Sequence, residues 1–128
     1  MKLLLDTHVL YWWLAERQHL SEAALNALAR VETEAFVSVV TAWEMAIKVG
    51  VGKWRGAAVI VDHFEEHVAV EGFRLLPITV AHVRAAGLMQ APHRDPFDRL
   101  LAAQALIEGL TLVSADGKLV GLGAPCLW

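Results

Sequence analysis

Short apolar runs alternate with longer stretches of mixed polar and apolar residues along the 128-residue chain. A run of four or five apolar residues is typical of a strand that is buried on both faces of a sheet. Such runs occur at residues 2–5, 35–39, 74–78 and 110–114, and we predict a strand at each. The pattern of the C-terminal residues is too mixed to assign.

The stretches between these runs have the apolar periodicity of amphipathic helices. We predict helices over residues 8–15, 21–30, 38–49, 57–70, 79–90 and 96–108. Ser21, Ser38 and Thr79 are suitable N-caps, and Pro96 suits a first helical position. Because strands alternate with helices, we expect βαβ units, a parallel sheet and helices on both of its faces. Without repeats or linkers, residues 1–128 are predicted to form a single α/β domain.

Composition limits the class of protein. Apolar residues make up 56% of the chain, which predicts a soluble domain that also buries a face against a partner. No apolar stretch approaches the roughly 20 residues that span a bilayer, and Asp6 interrupts the first run too early for a signal peptide. The single Cys126 is in keeping with a reducing, cytoplasmic location. With a net charge of −3, binding of a phosphate ligand requires bound cations or a local basic patch.

Four carboxylates occupy positions that a parallel sheet can bring together. Asp6 and Asp116 follow the first and last predicted strands, and Asp98 lies in the first turn of a helix. Glu44 lies inside the helix that begins after the second strand. Since ligands gather at the carboxyl ends of such strands, all four could line one pocket. Clustered oxygen donors suit Mg²⁺ or Mn²⁺, which together with these groups can hydrolyse a phosphodiester.

Each carboxylate also has an ordinary structural explanation. Asp6 and Asp95 can cap helices, Asp98 favours a helix dipole, and Asp116 is followed by a glycine as in a common turn. Glu44 is harder to explain this way, because its helix has little room for a broad polar face. The spacing alone leaves the structural and the metal-site interpretations open.

Four segments favour the metal-site interpretation: LLLDTHVLYWWL, TAWEMAIKVGVGKW, HRDPFDRLLAAQA and LVSAD. They resemble PIN-domain proteins, and more narrowly the VapC-type toxins of bacterial type II toxin–antitoxin modules. This resemblance spans nearly the whole chain and implies a three-layer α/β/α fold with a central parallel sheet of four or five strands. It also implies a Mg²⁺- or Mn²⁺-dependent endoribonuclease that leaves 5′-phosphate and 3′-hydroxyl ends. The family tends to form homodimers and is inhibited by a small antitoxin in the cytoplasm.

The resemblance also assigns site residues by position. The acidic residues of the family fall on Asp6, Glu44, Asp98 and Asp116, which are thereby predicted to be catalytic and to bind the metal. After Asp116 the sequence departs from the family, reading GKLVGLGAP without the usual aromatic residue.

Basic residues flank the acidic segments. Lys48, Arg94 and Arg99 are candidates for binding the phosphates of an RNA substrate. Thr7 and Ser114 could orient ligands or water, although strand-end hydroxyls more often bond to the local backbone.

Other sequence motifs are weaker indications of function. The tryptophans Trp12, Trp13, Trp43 and Trp54 could stack on bases, but packing in the core and in a dimer is the favoured interpretation. HFEEH matches a zinc-protease string without an evident third ligand, and GVGKW lacks residues of a P-loop. A phosphotransfer receiver and a haloacid-dehalogenase-type phosphatase both need acids that are not present near Asp6. A catalytically inactive binding module is disfavoured by the retention of all four carboxylates.

Overall fold

Five strands form one parallel sheet in the order β3-β2-β1-β4-β5 in the computed structural model, which describes residues 1–128. The strands are β1 (Lys2–Leu5), β2 (Glu34–Ser38), β3 (Arg74–Leu76), β4 (Thr111–Val113) and β5 (Cys126–Leu127). The helices are α1 (Thr7–Ala15), α2 (Glu22–Ala29), α3 (Val39–Gly50), α4 (Ala58–Asp62), α5 (Phe64–Val70), α6 (Val80–Leu88), α7 (Pro96–Glu108) and α8 (Gly117–Val120). Short 3₁₀ turns occupy Arg17–His19 and Arg55–Ala57.

The sheet lies between two helical layers, which confirms the predicted α/β/α architecture. Successive side chains of β1 point to opposite faces, so Leu3 and Leu5 enter one core and Leu4 enters the other. Helices α1, α2, α4 and α5 pack on the first face, whereas α6, α7 and α8 pack on the second. All three leucines of β1 are fully buried, because this strand is central and covered on both sides.

Several boundaries differ from the sequence prediction. The helix predicted over residues 57–70 is broken at His63, whose backbone has φ −134° and ψ 45°. Ile60, Phe64 and Val68 are nevertheless all buried, and this four-residue spacing is the pattern that predicted one continuous helix. Strand β5 and helix α8 were not predicted, since each is too short to show a period. No helix has the combination of length and apolarity that crossing a bilayer requires.

The strand order places the first and last functional segments side by side. Strand β1 pairs with β2 on one side and with β4 on the other. The chain therefore passes outward from β1 in both directions, and a crevice opens where the order reverses at the carboxyl ends of β1 and β4. Asp6 follows β1 directly, and Ser114 follows β4.

Candidate functional site

Asp6 is a buried carboxylate at the junction of β1 and α1. It caps α1: the Thr7 backbone N–H donates to Oδ1 at 2.7 Å, and the Ser114 hydroxyl donates to Oδ2 at 2.8 Å. Asp6 is only 8% exposed and forms no salt bridge. Burial raises the pKa of Asp6 above its ordinary value, although the bonds from Ser114 and Thr7 oppose this change. The structure thus holds a carboxylate in the crevice without a salt bridge, and the electrostatic effect of nearby His8 only partly opposes the rise in its pKa.

Glu44 reaches the same crevice from α3 and is 7% exposed. The Thr7 hydroxyl donates to its Oε1 at 2.6 Å, and Lys48 Nζ lies 2.9 Å from its Oε2. Helix α3 begins directly at the end of β2, where the Ser38 side chain accepts the N–H of Val40 as an N-cap. This start fixes the first turns of α3 against the sheet edge and directs the Glu44 carboxylate toward Asp6, whose pKa it raises by charge repulsion.

Asp98 lies in the first turn of α7. Its Oδ2 is 2.7 Å from His93 Nε2, and its side chain is 15% exposed. Burial raises the pKa of Asp98 to about 6, with repulsion from Asp95 and Asp6 adding to the rise and the His93 hydrogen bond opposing it. Asp95 caps α7, since its Oδ1 accepts the N–H groups of Phe97 and Asp98. Asp95 therefore has a structural role as a helix cap, whether or not it also contacts a ligand.

Asp116 completes the acidic set. It is an exposed N-cap of α8, and its Oδ1 accepts the Lys118 N–H at 2.9 Å. The Ser114 hydroxyl accepts the Asp116 N–H at 3.0 Å while donating to Asp6. Ser114 therefore connects the Asp6 carboxylate to the backbone of Asp116.

The four predicted carboxylates line one cleft of about 400 Å³. Its lining residues are Asp6, His8, Trp12, Glu44, Lys48, Asp95, Asp98, Ala115 and Asp116. Carboxylates outnumber the single lysine of this wall five to one, and two of them are buried. An all-oxygen donor set with excess negative charge fits a hard divalent cation. In this structure no group of three or more His, Cys, Asp or Glu side chains is arranged to hold a metal ion.

Two of the predicted phosphate-binding residues lie elsewhere. Arg94 and Arg99 line a neighbouring cavity of about 350 Å³ between α3, α6 and α7, whereas Lys48 lies in the acidic cleft. The Arg99 guanidinium donates to the carbonyl oxygens of Ala86, at 3.0 Å, and Met89. Arg99 thus ties the end of α6 to the start of α7, a contact that sequence spacing does not reveal.

We expect Arg99→Ala to lower the free energy of unfolding by about 2 kcal/mol, because two carbonyl groups lose a charged donor. Urea unfolding followed by circular dichroism measures this loss. Arg99→Lys should recover only part of it, since one ammonium group cannot reproduce the planar fork. Arg94→Ala, an exposed neighbour, is the matched control. Equal stability of the Arg99 and Arg94 variants would contradict the structural role of Arg99.

The sequence analysis named Trp12 as a residue that could stack on bases but favoured packing, and it assigned no role to His93 or His8. His93 lies in the loop before α7, outside any periodic element, and its contact with Asp98 depends on the path of that loop. His8 and Trp12 are four residues apart on α1, a spacing that indicates a shared face but not that this face borders a cleft.

The comparisons with known proteins agree with this fold. The family model described as PIN domain matches residues 3–123, and the chain therefore belongs to the PIN domain family. It is 34% identical over 125 residues to Ribonuclease VapC22 of Mycobacterium tuberculosis (strain ATCC 25618 / H37Rv). That alignment covers 91% of this chain and 88% of the relative. The predicted resemblance to VapC-type PIN domains is confirmed.

Solved structures show the same fold. VapBC2 from Rickettsia felis bound to a promoter DNA fragment has a chain that matches with a TM-score of 0.70, at 14% identity, over 99% of this chain and 98% of that one. FitAcB from Neisseria gonorrhoeae matches with a TM-score of 0.67 and 19% identity, over 98% and 96% of the two chains. A toxin-antitoxin complex from Klebsiella pneumoniae matches with a TM-score of 0.65 and 20% identity, over 98% and 95%.

Proposed function

We propose that this PIN domain is a divalent-metal-dependent endoribonuclease that hydrolyses RNA phosphodiester bonds. The observation that carries the proposal is Asp6, a buried carboxylate that forms no salt bridge, in a cleft lined by further carboxylates. A protein gains no stability from burying such a charge, so its retention points to a bound cation. The similarity to a relative named as a ribonuclease supports RNA as the substrate.

Asp6, Glu44, Asp98 and Asp116 are the residues that would hold Mg²⁺ or Mn²⁺. When bound, such a cation supplies Lewis acidity at the phosphoryl group and counter-charge for the departing oxygen. It also offsets the repulsion between these carboxylates and an RNA backbone. Without a bound cation, the net charge of −3 would oppose RNA binding.

The neighbouring side chains orient this acidic set. The Ser114 hydroxyl and the Thr7 N–H each hold one oxygen of Asp6, which fixes the plane of its carboxylate. The hydroxyl of Thr7 holds Glu44 at the same time, and His93 holds Asp98. These contacts leave few rotamers to restrict when a substrate phosphate arrives, which is the preorganisation that such catalysis requires.

Lys48 is our candidate for contacting a substrate phosphate inside the cleft. Its ammonium group pairs with Glu44 while the Lys48 side chain remains partly exposed. Arg94 is exposed on the adjoining cavity and would contact the RNA further from the scissile bond. Arg99 contributes through α7 rather than through its guanidinium, which is already bound to carbonyl groups.

We further propose that the protein is the toxin of a toxin–antitoxin pair, inhibited by a small antitoxin in the cytoplasm. Structures that share its fold include a toxin-antitoxin complex and VapBC2. A homodimer is proposed through the apolar surface beside α3 and α6, where Trp43 and Val83 line one cavity and are 58% and 48% exposed. Light scattering of the purified protein tests the dimer.

The proposed activity is tested by incubating purified protein with total RNA in Mg²⁺ or Mn²⁺, with and without EDTA. We expect cleavage only with free divalent cation, and sequencing of the ends should find 5′-phosphates and 3′-hydroxyls. The absence of metal-dependent cutting in any RNA preparation would refute the ribonuclease proposal. Thermal unfolding with Mn²⁺ then distinguishes a metal-binding cleft from one that binds no cation.

A further inference from the structure

A row of four aromatic side chains borders the acidic cleft, and two of them line it. His8 and Trp12 line the cleft beside Asp6. Trp54 stacks against His8 with ring centroids 4.8 Å apart and an interplanar angle of 21°. Trp128 lies against Trp12 at 5.8 Å. We call these four residues the aromatic row.

The aromatic row is not fully explained by packing of the core. The inner side of α1 is formed by Val9, Leu10 and Trp13, all buried. His8 and Trp12 occupy a different side of the helix: His8 is exposed, and Trp12 is only partly buried although it contacts the core. Partly exposed rings next to a group of carboxylates indicate a binding surface for a ligand with a flat apolar face.

We propose that an unpaired nucleobase of the substrate stacks on His8 and Trp12, next to the phosphate that the carboxylates address. Every base has a π-face, so this contact is tolerant of sequence. Trp54 would support His8 from behind. Lys48 Nζ, 5.6 Å from the centre of the Trp54 ring, places a positive charge near that end of the row for a backbone phosphate. This inference deepens the proposed function and rests on it.

The charges of the cleft favour a base over a phosphate on this wall. Most of the other residues that line the cleft are acidic, so the RNA backbone can approach them only where a cation is bound. A neutral base is not repelled by the carboxylates. In a duplex the bases stack on one another and cannot be presented to a protein ring, so the row selects single-stranded RNA.

The test measures the affinity of a fluorescent eight-nucleotide single-stranded RNA by anisotropy. Ca²⁺ replaces Mg²⁺, and electrophoresis checks that the RNA stays intact. We expect Trp12→Ala and His8→Ala each to weaken binding roughly 5- to 150-fold, the loss of one stacked base. Trp12→Phe keeps a ring and should recover most of the affinity. His63→Ala changes an exposed histidine at the break between α4 and α5 and should bind as the wild type does.

A second oligonucleotide tests whether the aromatic row binds a base. The same RNA with abasic riboses at every position should bind the wild type weakly, and Trp12→Ala should weaken it no further. Equal binding of intact and abasic RNA, or unchanged binding of intact RNA by His8→Ala and Trp12→Ala, would overturn the inference and assign the row to a protein partner. If the wild type neither binds nor cuts RNA, the proposed function fails as well, which separates the two results.

Discussion

Asp6→Asn is expected to abolish RNA cleavage while making the metal-free protein more stable. The buried Asp6 carboxylate has a raised pKa, so its charged form opposes folding at neutral pH. An asparagine can accept the Thr7 N–H and donate to the Ser114 hydroxyl, so the cap persists without the charge. Loss of one charged group in such a site lowers the rate by about 10²- to 10³-fold or more.

Two measurements check this expectation together. Cleavage of RNA in Mn²⁺ should fall to background, and thermal unfolding in EDTA should occur at a higher temperature than for the wild type. Addition of Mn²⁺ should raise the unfolding temperature of the wild type more than that of Asp6→Asn. Asp62→Asn, which changes an exposed carboxylate at the end of α4, controls for the charge change and should alter neither property. A variant less stable than the wild type in EDTA would contradict the view that Asp6 is held at the expense of stability.

Bound Mn²⁺ should cancel the pH dependence of stability that Asp98 causes in the metal-free protein. The folded-state pKa of Asp98, about 6, is above its ordinary value of 3.8, so the metal-free protein loses stability as the pH rises through 6. With Mn²⁺ present, the carboxylate must be ionised to bind, and affinity should weaken by about tenfold per pH unit below 6. The stabilisation that Mn²⁺ provides should therefore grow from pH 5 to pH 7.5.

Calorimetric unfolding across pH 5 to 8, with EDTA or with Mn²⁺, measures both trends. Asp98→Asn should flatten the metal-free trend and remove most of the pH dependence of Mn²⁺ binding. His93→Ala removes the hydrogen bond that opposes the rise in the Asp98 pKa, so it should move the metal-free trend to higher pH. Parallel stability curves with and without Mn²⁺ would show that Asp98 is not a ligand.

The fold was largely predictable because its core is built from local patterns. The fully apolar run of β1 predicts burial on both faces, and the structure divides Leu3 and Leu5 from Leu4 accordingly. Strand β5 has two residues and exists only because β4 is beside it, so no local signal marks it. The break at His63 leaves the apolar spacing of Ile60 and Phe64 unchanged, and spacing alone therefore cannot locate it.

The acidic residues of the candidate site could be predicted from the sequence, whereas the side chains around them were harder to predict. Asp6 and Asp116 could be placed because strand ends of a parallel sheet share an edge. Arg99 stands next to Asp98 in the sequence, yet its side chain turns toward α6. Neighbouring residues of a helix point about 100° apart, so adjacency to an acid indicates little about a shared target.

The hydrogen bond between Ser114 and Asp6 joins residues 108 positions apart. Strand β1 is synthesised well before β4, its partner on the crevice side. A growing chain therefore carries Asp6 without the Ser114 hydroxyl until 108 further residues have been added. If the cleft cuts RNA, its two central strand ends can meet only after β4 has been made.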